Sequence, residues 1–182
     1  MDVTRKTDEE QAARWNGPAG HAWVEAQSVL DELLKPFEEL LVGAVSGGSG
    51  GHVLDVGCGT GGTTVAVARR LGAEGRCVGL DISAPMIAAA RARAEREGTQ
   101  ACFIRANAQD HVFEAATFGT VISRFGVMFF DDSVRAFANL RRAARGDADF
   151  RFVVWRSAAE NPNPFMTTVV RSRPDVGTFP PP

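Results

Sequence analysis

Val53-Leu54-Asp55-Val56-Gly57-Cys58-Gly59-Thr60-Gly61-Gly62 is an apolar run that breaks into a cluster of glycines. Residues 52–56 read as a short buried strand and residues 61–71 as a helix, so the glycines fall at the strand-to-helix turn. Glycine there lets the backbone turn tightly and approach a ligand closely, and in open α/β sheets ligands sit at the carboxyl ends of the strands. Asp81 closes the next apolar segment, Val78-Gly79-Leu80, where a carboxylate can accept both hydroxyls of an adenosine ribose. A glycine loop followed by such an acid indicates a nucleoside-containing cofactor.

Outward from this loop the pattern alternates. Strands are expected at 76–80, 101–105, 120–123 and 150–155, with helices at 84–97 and 133–144. Strands separated by helices of this length imply right-handed crossovers, hence a doubly wound, mostly parallel Rossmann-like α/β sheet with helices on both faces. Ahead of it, residues 7–46 carry Trp15, Trp23, Leu30, Leu33, Leu34, Phe37, Leu40 and Leu41 at helical spacings. Asn16-Gly17-Pro18-Ala19-Gly20 is expected to interrupt these helices. The division expected is an N-terminal helical cap and Gly-rich connector over 1–50, an α/β core over 51–156, and the start of a further part over 157–182. In that last part, residues 165–171 read as a short helix, and Phe179-Pro180-Pro181-Pro182 has the composition of a linker. Something further is therefore expected beyond residue 182.

Composition narrows the class. At 45% hydrophobic and 23% charged, 182 residues suffice for one domain with a sizeable core. A net charge of -2 supplies no basic field for phosphate backbones, so nucleic acid is not expected as a partner. No apolar run approaches the roughly 20 residues that span a bilayer. The polar start MDVTRKTDEEQ does not resemble a secretory signal, and a cytoplasmic location is expected. Cys58, Cys77 and Cys102 are odd in number and widely spaced, and read as core thiols in a reducing compartment.

Gly57, Gly59 and Gly62 satisfy the dinucleotide pattern G-x-G-x-x-G, with Asp81 at about the distance of its ribose acid. Asp55 separates the readings: a carboxylate two residues before the first glycine would repel a pyrophosphate. It suits the cationic amino and sulfonium end of S-adenosylmethionine. A nicotinamide-dependent oxidoreductase would also need a catalytic Tyr-Lys pair or a substrate domain, and the sequence contains no tyrosine.

The segments VLDVGCGTG, GLDIS, ANAQD and FGTVISRFGVMFF stand in the order that resembles class I S-adenosylmethionine-dependent methyltransferases. WNGPAGHAW, ahead of them, resembles small-molecule methyltransferases related to the ubiquinone and menaquinone C-methylating enzymes. The resemblance implies that Asp55, Gly57, Gly59, Thr60 and Gly61 face the methionyl moiety, and that Asp81 holds the ribose. It further implies Ile82 and Met86 against the adenine, and Asn107, Ala108 and Gln109 at its edge, with Gln109 or Asp110 supplying the polar contact. Arg124 and Phe125 would border the transferable methyl. Relatives turn into the fifth strand through Pro-Gly-Gly, whereas here the turn is expected in Arg145-Gly146-Asp147-Ala148-Asp149.

Other residues carry two readings each. Trp15 and Trp23 either cap the cofactor pocket as a lid or pack as core aromatics. Phe125, Met128, Phe129 and Phe130 form either an apolar wall for a hydrophobic acceptor or packing under the next helix. His21, His52 and His111 lack metal-ligand spacing; His111 lies near the pocket mouth or on the surface. Arg91, Arg93 and Arg96 alternate with Ala and Glu95 as on a solvated helix face. The function expected is methyl transfer to a small-molecule acceptor, with no general base identified. A partner subunit that binds the cofactor without turnover and a homo-oligomer are both left open.

Overall fold

The computed structural model describes residues 3–45, 51–156 and 160. Five strands make one sheet: β1 (His52–Val56), β2 (Arg76–Asp81), β3 (Cys102–Arg105), β4 (Phe118–Arg124) and β5 (Ala144–Val153), in the order β3-β2-β1-β4-β5. Every neighbouring pair is parallel. The chain steps outward from β1 to β3 and then returns to the other side of β1, so the strand order reverses between β1 and β4. Such a switch point opens a crevice at the carboxyl ends of the two strands.

Burial on both faces explains the unbroken apolar character of β1. Val53 points to one side, with Val67, Leu71 and Ile122, while Leu54 and Val56 point to the other, with Val121, Leu140 and Ala143. The first side is covered by α4 (Gly62–Leu71) and α5 (Ala84–Arg96), the second by α6 (Ser133–Ala143). Local signals start two of these helices: the Ser83 hydroxyl accepts from the Met86 N–H, and the Asp132 carboxylate accepts from the Arg135 N–H.

Three helices precede the sheet: α1 (Val3–Asn16), α2 (Pro18–Glu25) and α3 (Gln27–Ala44). The expected interruption over residues 16–20 shrinks to Gly17, because Pro18 occupies the start of α2, where its missing N–H leaves no bond unmade. The end of α1 is tied to the β2–α5 turn. Asn16 Nδ2 donates to Ile82 O at 3.2 Å, its Oδ1 accepts from Ala84 N at 2.8 Å, and Ser83 Oγ donates to Trp15 O at 2.6 Å.

The structure corrects three further expectations. The turn at Arg145–Asp149 lies inside β5: Phe118 pairs with Ala144 and Thr120 with Asp149, so residues 145–148 loop out within the strand, and Trp155 falls beyond it. Cys102 is exposed at the start of β3, unlike the buried Cys58 and Cys77. Arg93 is buried rather than solvated, in an ion pair with Asp31 of α3 and a second with Glu97. A helical pattern of charges does not reveal that another helix lies across it. The expected connector at 47–50, the helix at 165–171 and the linker-like end lie outside the described residues.

Candidate functional site

At the switch point lies a cavity between the carboxyl ends of β1, β2 and β4, with Gln11, Trp15 and Trp23 of the N-terminal helices on its other side. The glycine loop forms its floor. Gly57 N and Cys58 N both donate to Leu80 O, at 2.8 and 3.1 Å, which carries the chain across from β1 to β2. Gly57 and Gly59 have φ of +69° and +54°, a region that favours glycine. A Cβ on Gly57 would lie 2.5 Å from Gly126 Cα, whereas one on Gly59 would meet nothing nearer than 3.9 Å. The loop is therefore packed tightly at one glycine against Gly126, in the segment that follows β4, and open at the next. Gly61 does not line the cavity. It starts α4 at φ +82°, where a Cβ would lie 2.9 Å from Ala90 and Phe103, so its need for glycine comes from helix and strand packing.

Asp81 is held by two backbone donors, Gly59 N on Oδ2 and Ser83 N on Oδ1, both at 2.9 Å. With about four acceptor sites, the carboxylate has room for a further donor. Burial pushes the Asp81 carboxyl above its ordinary range, against the pull of the Ser83, Gly59 and Ile82 N–H groups. Asp55 is 1% exposed and accepts from Thr64 Oγ1 at 2.7 Å. Burial raises its pKa to about 6, while the Thr64 hydrogen bond and the Arg124 charge lower it. Burial likewise raises Glu38 of α3, which Arg124 opposes. The buried Asp55 and the half-buried Asp81 thus line one cavity, where a cation or a further donor would stabilise their charge.

Asp55, Gly57, Gly59, Thr60, Asp81, Ile82, Met86, Asn107, Ala108, Gln109, Arg124 and Phe125 all line this one cavity. Asn107 Oδ1 accepts from Gln109 N at 3.0 Å, and Gln109 Oε1 accepts from Asp132 N at 2.6 Å, which joins this edge of the cavity to the start of α6. Asp110, the alternative to Gln109, is exposed, pairs with Arg135 and does not line the cavity. His111 does not line it either; its ring packs edge-on against Phe113 at 4.6 Å. Among the described residues no group of three or more His, Cys, Asp or Glu is placed to hold a metal ion.

The aromatic residues line the cavity and also pack on one another. Trp15 and Trp23 line the cavity and also pack edge-on at 6.2 Å, with Trp15 against Phe129 at 5.2 Å. Phe125 has φ +68°, a strained conformation for a bulky residue. It is stacked on Trp155 at 4.5 Å, with Phe37 edge-on to both. Phe129 and Phe130 line the cavity, while Met128 Sδ accepts from Trp155 N. Sequence reasoning missed Gln11, Leu34, Thr63, Gly126 and Asp131 in the lining and Glu38 beside Arg124. Of these only Gly126 left a signal, a glycine two residues past the fourth strand.

Open glycine backbone, an anchored carboxylate at the end of β2 and a buried carboxylate on β1 fit an adenosyl group that ends in a cation. The methyltransferase domain family matches residues 53–147. The chain belongs to the class I S-adenosylmethionine-dependent methyltransferases. Their cofactor, S-adenosylmethionine, is the cofactor of this domain. The methyltransferase is similar to a demethylmenaquinone methyltransferase of Lactiplantibacillus plantarum, 35% identical over 102 residues, which are 55% of this chain and 43% of that one. It is also similar to the nocamycin O-methyltransferase of Saccharothrix syringae, 32% identical over 117 residues, 64% of this chain and 42% of that one. The chain spans less than half the length of these two curated relatives. In fold it resembles a solved S-adenosylmethionine-dependent methyltransferase of Methanococcus maripaludis, with a TM-score of 0.65 and 18% identity over 86% of this chain and 72% of that one.

Proposed function

We propose that this methyltransferase domain transfers a methyl group to a small, largely apolar acceptor molecule. The observation that carries the reading is Asp81, fixed by Gly59 N and Ser83 N at the end of β2, in the same cavity lining as the buried Asp55 of β1. Bound S-adenosylmethionine supplies a methyl group on a positively charged sulfur, activated without further chemistry. The work left to the protein is alignment of donor and acceptor and exclusion of water. Asp81 would hold the ribose, and Ile82 and Met86 would pack on the adenine. Asn107, Ala108 and Gln109 would meet its edge, and Asp55 would attract the cationic end, with Gly57, Gly59 and Thr60 giving it room.

The apolar acceptor is supported by Phe125, Phe129, Phe130, Trp15 and Trp23 around the cavity, and by relatives named for small-molecule substrates. A cytoplasmic setting is part of the same reading, supported by three free thiols. Titration calorimetry tests the cofactor. S-adenosylhomocysteine should bind with micromolar affinity and NAD much more weakly, and tighter binding of NAD would overturn the reading.

A further inference from the structure

Arg124 ends β4 and lines the cavity next to Phe125. One of its guanidinium nitrogens, Nη1, is buried and has no hydrogen-bond partner among the described residues. A buried donor left unpaired is costly, more so when charged, and one that persists beside a binding cavity points to a group that completes it. The carboxylates that face Arg124 do not complete it. Asp55 is engaged by Thr64 Oγ1, and Glu38 forms no ion pair with Arg124 among the described residues, although both act on it electrostatically. Phe125 follows Arg124 in the chain, and Phe129 and Phe130 line the same cavity, where apolar surroundings make a charge-assisted hydrogen bond stronger than in water.

We propose that Arg124 is an oxyanion-binding residue, whose Nη1 donates to an ionised oxygen carried by a bound substrate. The inference rests on the methyltransferase reading above. Two sources share this chemistry. One is an acidic acceptor, such as a phenol or enol, held as its anion. The other is the carboxylate of the donor's amino-acid end. An acceptor held as its anion has already lost its proton to solvent, so no side chain has to remove one inside the cavity. That agrees with the want of an assigned general base among the residues identified from the sequence.

The experiment compares wild type, Arg124→Gln and Arg124→Lys with three probes. S-adenosylhomocysteine carries the carboxylate, 5′-methylthioadenosine lacks the whole amino-acid end, and para-nitrophenol reports its own ionisation by colour. If the oxygen belongs to the acceptor, para-nitrophenol bound to the wild-type S-adenosylhomocysteine complex ionises about one pH unit lower than free. Arg124→Gln then abolishes that shift and leaves both nucleosides bound as before. If it belongs to the donor, Arg124→Gln weakens S-adenosylhomocysteine by about tenfold or more and leaves 5′-methylthioadenosine unchanged. Arg124→Lys should retain part of either effect, and it carries the same readouts should the glutamine variant not fold. An unchanged ratio of the two nucleoside affinities, together with no Arg124-dependent shift of the dye, overturns the proposal. Failure of the underlying reading is distinct, because the wild type would then bind neither nucleoside.

Discussion

Gly57 and Gly126 touch backbone to backbone: a Cβ on Gly57 would lie 2.5 Å from Gly126 Cα, and one on Gly126 would lie 2.7 Å from Gly57 Cα and 2.5 Å from Val56 O. This contact closes the floor of the cavity where β1 and β4 separate. It also sets the height of the loop that carries Gly59 toward Asp81.

Gly126→Ala is therefore expected to destabilise the fold by about 2 kcal/mol or more, because the atoms in its way are backbone and cannot rotate aside. Cofactor affinity should fall with it. Urea unfolding monitored by tryptophan fluorescence, with S-adenosylhomocysteine titrations on the same samples, checks both. Unchanged stability would mean that β4 can draw away from β1 at no cost.

Asp81→Ala should weaken S-adenosylhomocysteine by about 1.5–3 kcal/mol, since two charge-assisted hydrogen bonds to the ribose are lost. The structure adds a second effect. The same carboxylate accepts from Gly59 N and Ser83 N, so its removal leaves two backbone donors unpaired. Unfolding free energy should drop by about 1–2 kcal/mol in the absence of cofactor. Asp81→Asn, which keeps one acceptor, should fall between wild type and alanine in both calorimetry and urea titration.

The parts of this site that could be read from the sequence are those written in one stretch of chain. Residues 53–62 carry strand, turn and helix start together, and the positive φ of Gly57, Gly59 and Gly61 follows from glycine at a tight turn. Asp81 was equally legible, at the end of the next apolar run. The sequence did not distinguish Gly61, which packs against Ala90 and Phe103, from the glycines that open to the cavity, because that depends on where α5 and β3 lie. Glu38 and Leu34 come from a helix that could have presented any face, and Arg93 looked solvated until α3 crossed it with Asp31. The loop-out in β5 replaces a tight turn because pairing with β4 begins already at Ala144.

Asn16→Ala tests how the N-terminal helices hold the cofactor side of the sheet. Asn16 supplies the acceptor for Ala84 N and a donor to Ile82 O, so it fastens α1 to the turn that presents Asp81 and Ile82. Its loss should cost about 1–2 kcal/mol of stability. It should also speed hydrogen exchange at Ala84, whose N–H donates to Asn16 Oδ1. Exchange at the Gly57–Leu80 contact should stay as in wild type, and equal acceleration there would show that the cap supports the whole sheet rather than this turn.

The last prediction concerns pH and follows from Asp55. Burial raises its pKa to about 6 from an ordinary 3.8, so between these values the folded protein binds more protons than the unfolded chain. Stability from this group is then fully present below about pH 4 and is lost as pH rises through about 6; the two units correspond to roughly 3 kcal/mol. Asp81 and Glu38, also raised by burial, act in the same direction. Cofactor binding should run the opposite way. A ligand with a cationic end favours the ionised carboxylate, so affinity should be level above about pH 6 and fall below it, with release of a proton on binding. Asp55→Asn keeps an oxygen for the Thr64 hydroxyl but cannot titrate. It should flatten the stability profile between pH 4 and 6, raise stability at pH 7, and remove the pH dependence of S-adenosylhomocysteine binding together with much of its strength. Thermal unfolding and calorimetry across this range measure all three. Parallel profiles for wild type and Asp55→Asn would show that other groups set the pH response and that Asp55 is not the carboxylate facing the cation.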